Sequence, residues 1–172
     1  MNILTRASGI GTRAIAGLSA MVGAGVAALA LTATPAVAAP AGCAGDLSGK
    51  GWINVEVNGV KNSDGLIAIT VYADDSNRFL RSKGSLDVVR FPAKAGTFRG
   101  CVKLPGNGVY ALVVYHDEDG SRKLNRSGFG LPTEGFGFSN NPSTLAGLPT
   151  FRSVRLNVPK PGLTTRIDMR YP

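Results

Sequence analysis

From Trp52 onward, apolar and polar positions alternate in short runs instead of recurring every three or four residues. Trp52-Ile53-Asn54-Val55-Glu56-Val57 changes character at each step and runs out at Asn58-Gly59. A second run, Leu66-Ile67-Ala68-Ile69-Thr70-Val71-Tyr72, follows the turn sequence Asn62-Ser63-Asp64-Gly65. A period of two residues places alternate side chains on opposite faces of a strand, and Asp-Gly supplies the positive φ of a tight turn. The same reading predicts strands over 86–91, 97–104, 109–115, 153–158 and 164–169. The segment 74–82 reads as a short helix or helical turn with Phe79 and Leu80 tucked inward. Seven short strands at roughly ten-residue spacing predict an all-β fold, an antiparallel two-layer β-sandwich, Ig-like or prealbumin-like.

The strand pattern stops at His116 and resumes only after Thr150. Loops of that length in compact domains are usually functional or disordered. This one is glycine-rich but holds Phe129, Leu131, Phe136, Phe138, Leu145 and Leu148. Disordered chain rarely carries so many large apolar side chains, so an ordered loop packed on the sandwich is expected. Phe136 and Phe138 alternate with Gly135 and Gly137. They read either as a plug for one open end of the sandwich or as an aromatic platform for a glycan or apolar ligand.

The chain begins differently. Arg6 and Arg13 precede an Ala- and Gly-rich apolar run, and Ala36-Val37-Ala38 follows with Pro40 two residues on. Positive start, apolar middle and small-residue exit describe a secretory signal peptide cleaved after Ala38. An uncleaved anchor and, through Gly42-Cys43, a lipoprotein signal are the alternatives. The expected organisation is therefore a signal at 1–38, an N-terminal segment at 39–50 and the sandwich at 51–172. The destination is the periplasm or the cell exterior, with no transmembrane span in the mature chain.

Export gives the two cysteines a meaning. In an oxidising compartment Cys43 and Cys101 are expected to pair as a structural disulfide. Two cysteines and one histidine leave no room for a multi-histidine metal centre or a dense disulfide scaffold. Without Arg6 and Arg13 the remainder carries 17 basic and 11 acidic residues, a net charge of +6. Its basic residues fall in short clusters (Arg78, Arg81 and Lys83; Arg122, Lys123 and Arg126). Such a surface favours an anionic envelope component or an acidic glycan, and export argues against nucleic acid.

Two sets of residues in the loop carry chemistry. Asp117, Asp119, Ser121, Lys123 and Asn125 fall at every second position, so that Asp117, Asp119, Ser121 and Asn125 take the places of the side-chain oxygen donors of calcium loops and Lys123 that of the backbone carbonyl. The glycine of the EF-hand pattern is displaced, with Arg122 at the sixth position and Gly120 at the fourth. Gly128 stands where the bidentate Glu belongs. Asp side chains capping a polar turn explain the spacing without an ion, so no cofactor is expected, with calcium the alternative. His116 is the sole histidine; it reads as a strand-end residue bonded to the loop, with Asp117 placed to orient its ring. A catalytic use needs a nucleophile such as Ser139 or Ser127. Glu134 is expected to hold backbone N–H groups of the Gly-Phe turns.

The combination of VYHDEDG, KLN and GLPTEGFGFSNN resembles a family of exported bacterial proteins, the domain-of-unknown-function family numbered two-one-four-one. GVKNSDGLIAITVYADDSNRF and KLPGNGVYALVVYHD resemble the family's opening hairpin and central strand, so the likeness runs from about Trp52 to Tyr171. It implies an exported β-rich domain and brings no catalytic residues. The functional expectation is a non-catalytic envelope module binding a ligand or partner through 116–150. Its candidate residues are His116, Asp117, Glu134, Phe136, Phe138 and Asn140. A calcium-stabilised adhesive domain and a hydrolase are the alternatives.

Overall fold

The computed structural model describes residues 39–172 apart from 146; the expected signal peptide lies outside the described residues. Eight strands form: β1 Gly51–Val60, β2 Leu66–Ala73, β3 Asp87–Pro92, β4 Gly96–Leu104, β5 Gly108–Asp117, β6 Phe136–Phe138, β7 Leu156–Val158 and β8 Leu163–Asp168. One helical turn, α1, covers Phe151–Val154. The strands make two sheets, β4-β1-β8 and β3-β2-β5-β6, with β7 also on β5. The expected all-β sandwich is the fold observed.

Alternation builds the core. Ile53, Val55 and Val57 of β1, with Phe98, Val102 and Leu104 of β4, face Ile67, Ile69 and Val71 of β2 and Leu112 and Val114 of β5. β2 and β5 are buried at nearly every position, because the five-stranded sheet has a second apolar cover. On its outer face Tyr72, Ala111 and Val113 lie under Phe79, Phe138, Phe151 and Val154. Phe79 meets Tyr72 and Phe151 edge-on, with centroids 5.2 Å and 5.6 Å away. Each such buried side chain contributes about 2 kcal/mol.

Three local expectations are corrected. Of the short helix or helical turn expected over 74–82, only turns form, with the Arg78 N–H bonded to the Asp75 carbonyl and the Arg81 N–H to the Arg78 carbonyl; Leu80 (φ 56°) and Lys83 (φ 57°) adopt left-handed backbone that interrupts any helix. Phe79 is nonetheless buried and Leu80 partly so. The strand expected over 153–158 is only Leu156–Val158 long, because Phe151 and Val154 bury one helical turn on the outer cluster first. The sandwich is also not purely antiparallel. The chain leaves β7 in one sheet, turns at 159–162 and enters the other, where β8 runs parallel to β1 from Ile53 opposite Leu163.

The glycine-phenylalanine segment closes a side of the sandwich. β6 pairs with Val113–Tyr115 of β5, and Phe136 exchanges both backbone hydrogen bonds with Arg170, each 2.9 Å. A Cβ on Gly135 would run into the Tyr171 ring, and one on Gly137 would meet Ile167 and the Asp168 carbonyl. Glycine is required there because the C-terminal strand crosses so near. This is a bridging strand between the sheets rather than a plug of side chains.

Cys43 and Cys101 are joined by the expected disulfide, with Cα atoms 4.4 Å apart. Ala44 extends the tie: its N–H donates to the Cys101 carbonyl and its own carbonyl accepts from Lys103, both at 2.9 Å. Among the described residues no helix is long and apolar enough to cross a membrane.

Candidate functional site

β5 delivers His116 and Asp117 to opposite faces of the five-stranded sheet, since neighbouring residues of a strand alternate. His116 is fully buried. Its Nε2 lies 2.8 Å from the Asp64 carbonyl, which only accepts, so Nε2 carries the proton. Nδ1 then accepts from the Tyr171 hydroxyl at 2.8 Å, and that oxygen accepts the Lys61 N–H at 2.9 Å. Burial raises the Tyr171 hydroxyl above its usual pKa, with Lys61 opposing the shift and Glu118 adding to it. Asp117 does not orient the ring, contrary to expectation.

The two serines considered as nucleophiles are placed elsewhere. Ser139 is buried beside Leu112, where its hydroxyl bonds the Leu112 N–H (3.1 Å) and the Val154 carbonyl (2.5 Å). Leu112 stands four residues along β5 from His116, about 13 Å of strand. Ser127 sits in the hairpin described next, on the far side of Asp117 in the chain. Neither belongs to a Ser–His pair.

Beyond β5 the chain winds tightly around Asp117. Its Oδ2 accepts the Arg122 N–H at 2.8 Å and its Oδ1 accepts the Ser121 hydroxyl at 3.3 Å. Gly120 (φ 67°) and Arg122 (φ 63°) are both left-handed, so Arg122 adopts the backbone that calcium loops assign to glycine at their sixth position. Asp119 accepts the Ser121 N–H and the Asn125 side-chain amide. These bonds, the Ser121 N–H foremost, hold its carboxyl down at about 2.

A small hairpin then folds the chain back. Ser127 N–H donates to Leu131, Thr133 N–H donates to Asn125, and Arg126 bridges Pro132. The hairpin returns Glu134 to the acidic turn, where its Oε2 accepts the Asn125 N–H at 2.9 Å. The N–H it holds therefore belongs to the start of the hairpin and not to the Gly-Phe turns. Donor oxygens of Asp117, Asp119 and Glu134 all lie within 4.8 Å of one another. Burial, and after it the neighbouring Asp119 and Asp117, push the Glu134 carboxyl above its usual range. Glu134 is the residue that the spacing missed, because 17 positions separate it from Asp117 and only the hairpin brings them together.

Beyond this turn the loop displays apolar side chains. Phe129 and Leu145 are almost fully exposed (96% and 99%), and Leu131 and Leu148 stay more than half exposed. This departs from the expectation that they pack on the sandwich: Phe138 and Phe151 already cover the adjoining sheet face. Leu131, Pro132, Leu148 and the half-buried Phe136 line a groove of about 120 Å³ with Arg126 at its rim. Phe138 is buried in the outer cluster, and Asn140 caps α1 by donating to the Arg155 carbonyl at 2.6 Å. Of the six candidate loop residues, His116, Asp117, Glu134 and Phe138 are thus interior, while Phe136 borders the groove.

A wider groove of about 650 Å³ lies beside the disulfide, reaching Asn54, Glu56, Arg99 and Thr164. Its charged groups are already matched, with Glu56 bonded to Arg99 at 2.8 Å and Arg166 at 3.1 Å. Among the described residues the exposed large apolar side chains all lie in the long loop.

Residues 55–166 match the family described as an uncharacterized protein conserved in bacteria (DUF2141). No curated protein and no solved structure matches the chain.

Proposed function

The chain belongs to this bacterial family, and on that premise we propose that it is an exported, non-catalytic module of the cell envelope. It binds an anionic, amphiphilic envelope component through the 116–150 loop. The observation that carries the reading is the coincidence of Phe129, Leu131, Leu145 and Leu148, all exposed, with Arg122, Lys123 and Arg126 on the same loop. Exposed apolar patches on a soluble domain mark interaction surfaces, and adjacent cations favour an anionic headgroup by about 1 kcal/mol each. The groove beneath Leu131 and Leu148 offers an acyl chain apolar contact while Arg126 stays at the rim. The disulfide is consistent with passage through an oxidising compartment.

Cosedimentation with phosphatidylglycerol vesicles, against phosphatidylcholine vesicles as the control, tests binding. Binding to the anionic vesicles alone, lost in the Phe129→Ser/Leu145→Ser double variant, supports it. Equal binding to both lipids, none to either, or binding undiminished in the double variant refutes it. Amino-terminal sequencing of the secreted or periplasmic protein tests export, with Ala39 expected as the first residue.

A further inference from the structure

We propose that Asp117, Asp119 and Glu134 hold one calcium ion, which fastens the returning limb of the long loop to the end of β5. The site stands apart from the apolar groove and does not rest on the vesicle-binding reading.

The acids are poorly compensated. Asp117 is fully buried and Glu134 is 6% exposed. Among the described residues no lysine or arginine side chain forms an ion pair with any of the three; the only acid of this turn so paired is Glu118, with Lys61 at 3.5 Å. Three carboxylates converging without a cation repel one another. That alone describes an acidic cluster. The observation that points to a ligand is the second oxygen of Glu134. While Oε2 accepts the Asn125 N–H, Oε1 is buried and has no hydrogen-bond partner. A buried carboxylate oxygen left unbonded costs several kcal/mol unless a cation or donor meets it.

The donor set selects the ion. Every available atom is a hard oxygen, with no thiol or imidazole among them, since His116 is turned to Asp64 and Tyr171. Calcium accepts irregular, oxygen-rich shells completed by water, whereas magnesium demands near-ideal octahedral geometry. Exposed Asp119 leaves one side open for water. Two calcium-loop features are present in the turn, an acid at the first position (Asp117) and left-handed backbone at the sixth (Arg122). Its closing acid comes from Glu134, across a hairpin, instead of from the twelfth residue.

Isothermal titration of the chelator-washed protein with calcium chloride tests the site. One ion per chain is expected, with Kd of about 10⁻⁴–10⁻³ M, the range of extracellular modules. A melt at about ten times Kd should rise by about 4 °C. Glu134→Gln and Asp119→Asn should each weaken binding about tenfold or more, since each removes one charged donor. No saturable binding at millimolar calcium, or an unchanged Kd in the variants, overturns the proposal. Should Glu134→Gln fail to fold, exposed Asp119→Asn decides. The titration contains no lipid, so its failure is distinguishable from a failure of vesicle binding.

Discussion

The hydroxyl of Tyr171 lies 2.8 Å from Nδ1 of His116, tying the last strand's exit to the end of β5. The same oxygen accepts the Lys61 N–H from the β1–β2 turn, so one side chain joins three segments distant in sequence. Tyr171→Phe leaves a buried imidazole nitrogen and a backbone N–H unbonded. It should cost about 1–3 kcal/mol, read as a lower urea midpoint at unchanged m-value. A midpoint equal to the parent's would mean that His116 does not depend on this contact.

The acidic turn gives a pH dependence of two opposite signs. Asp119, held at about 2 against an ordinary 3.8, contributes stability above its unfolded value that is lost as pH falls toward 2. Glu134 is raised, so its contribution is present below its ordinary 4.5 and lost as pH rises through the raised value. In calcium-free buffer at neutral pH, Glu134→Gln should therefore melt higher than the parent. The gain should vanish below pH 4.5, where the parent carboxyl is protonated as well. A variant that melts lower at neutral pH would show that the ionised carboxylate is a net stabiliser even without an ion.

Reduction should be costly. The Cys43–Cys101 bridge closes a separation of 58 residues, worth about 4 kcal/mol in chain-entropy terms. Cys43→Ser/Cys101→Ser should lower unfolding stability by about that amount and make the melt insensitive to reductant. A melt that matches the oxidised parent would leave the bridge without a stabilising role.

Two phenylalanines nine residues apart should behave oppositely. Phe138, 3% exposed in the outer cluster, should cost about 3–5 kcal/mol on truncation to Ala. Phe129, 96% exposed, should cost less than about 0.5 kcal/mol while weakening vesicle binding. Thermal melts alongside cosedimentation separate the two; a large loss of stability in Phe129→Ala would make it a core residue and not a contact residue.

The strands β1 and β4 were legible from the alternation of Ile53, Val55 and Val57 and of Phe98, Val102 and Leu104, and β2 and β5 from largely apolar runs buried over six or more consecutive residues. β6 was not, since three residues with a central glycine carry no period, and only the nearness of Ile167 and Tyr171 explains that sequence. The alternation of Val154, Leu156 and Val158 fits a strand, yet Phe151 three residues before Val154 fits a helical turn equally, and packing decided for the turn. In the acidic site Asp117 and Asp119 were visible from spacing. Glu134 was hidden, since a hairpin that pairs Asn125 with Thr133 leaves no signature beyond its turn residues. The exposure of Phe129 and Leu145 could not be read from composition, which counts apolar residues without saying how much sheet remains for them to cover.

Hydrogen–deuterium exchange of the protein with and without phosphatidylglycerol vesicles reads the binding surface most directly. Protection gained at 126–133 and 143–148, with the sandwich strands unchanged, is the expected result. Protection centred on Arg78–Lys83 or on the groove beside Cys43, or no change anywhere, would contradict a loop that binds through its apolar side chains.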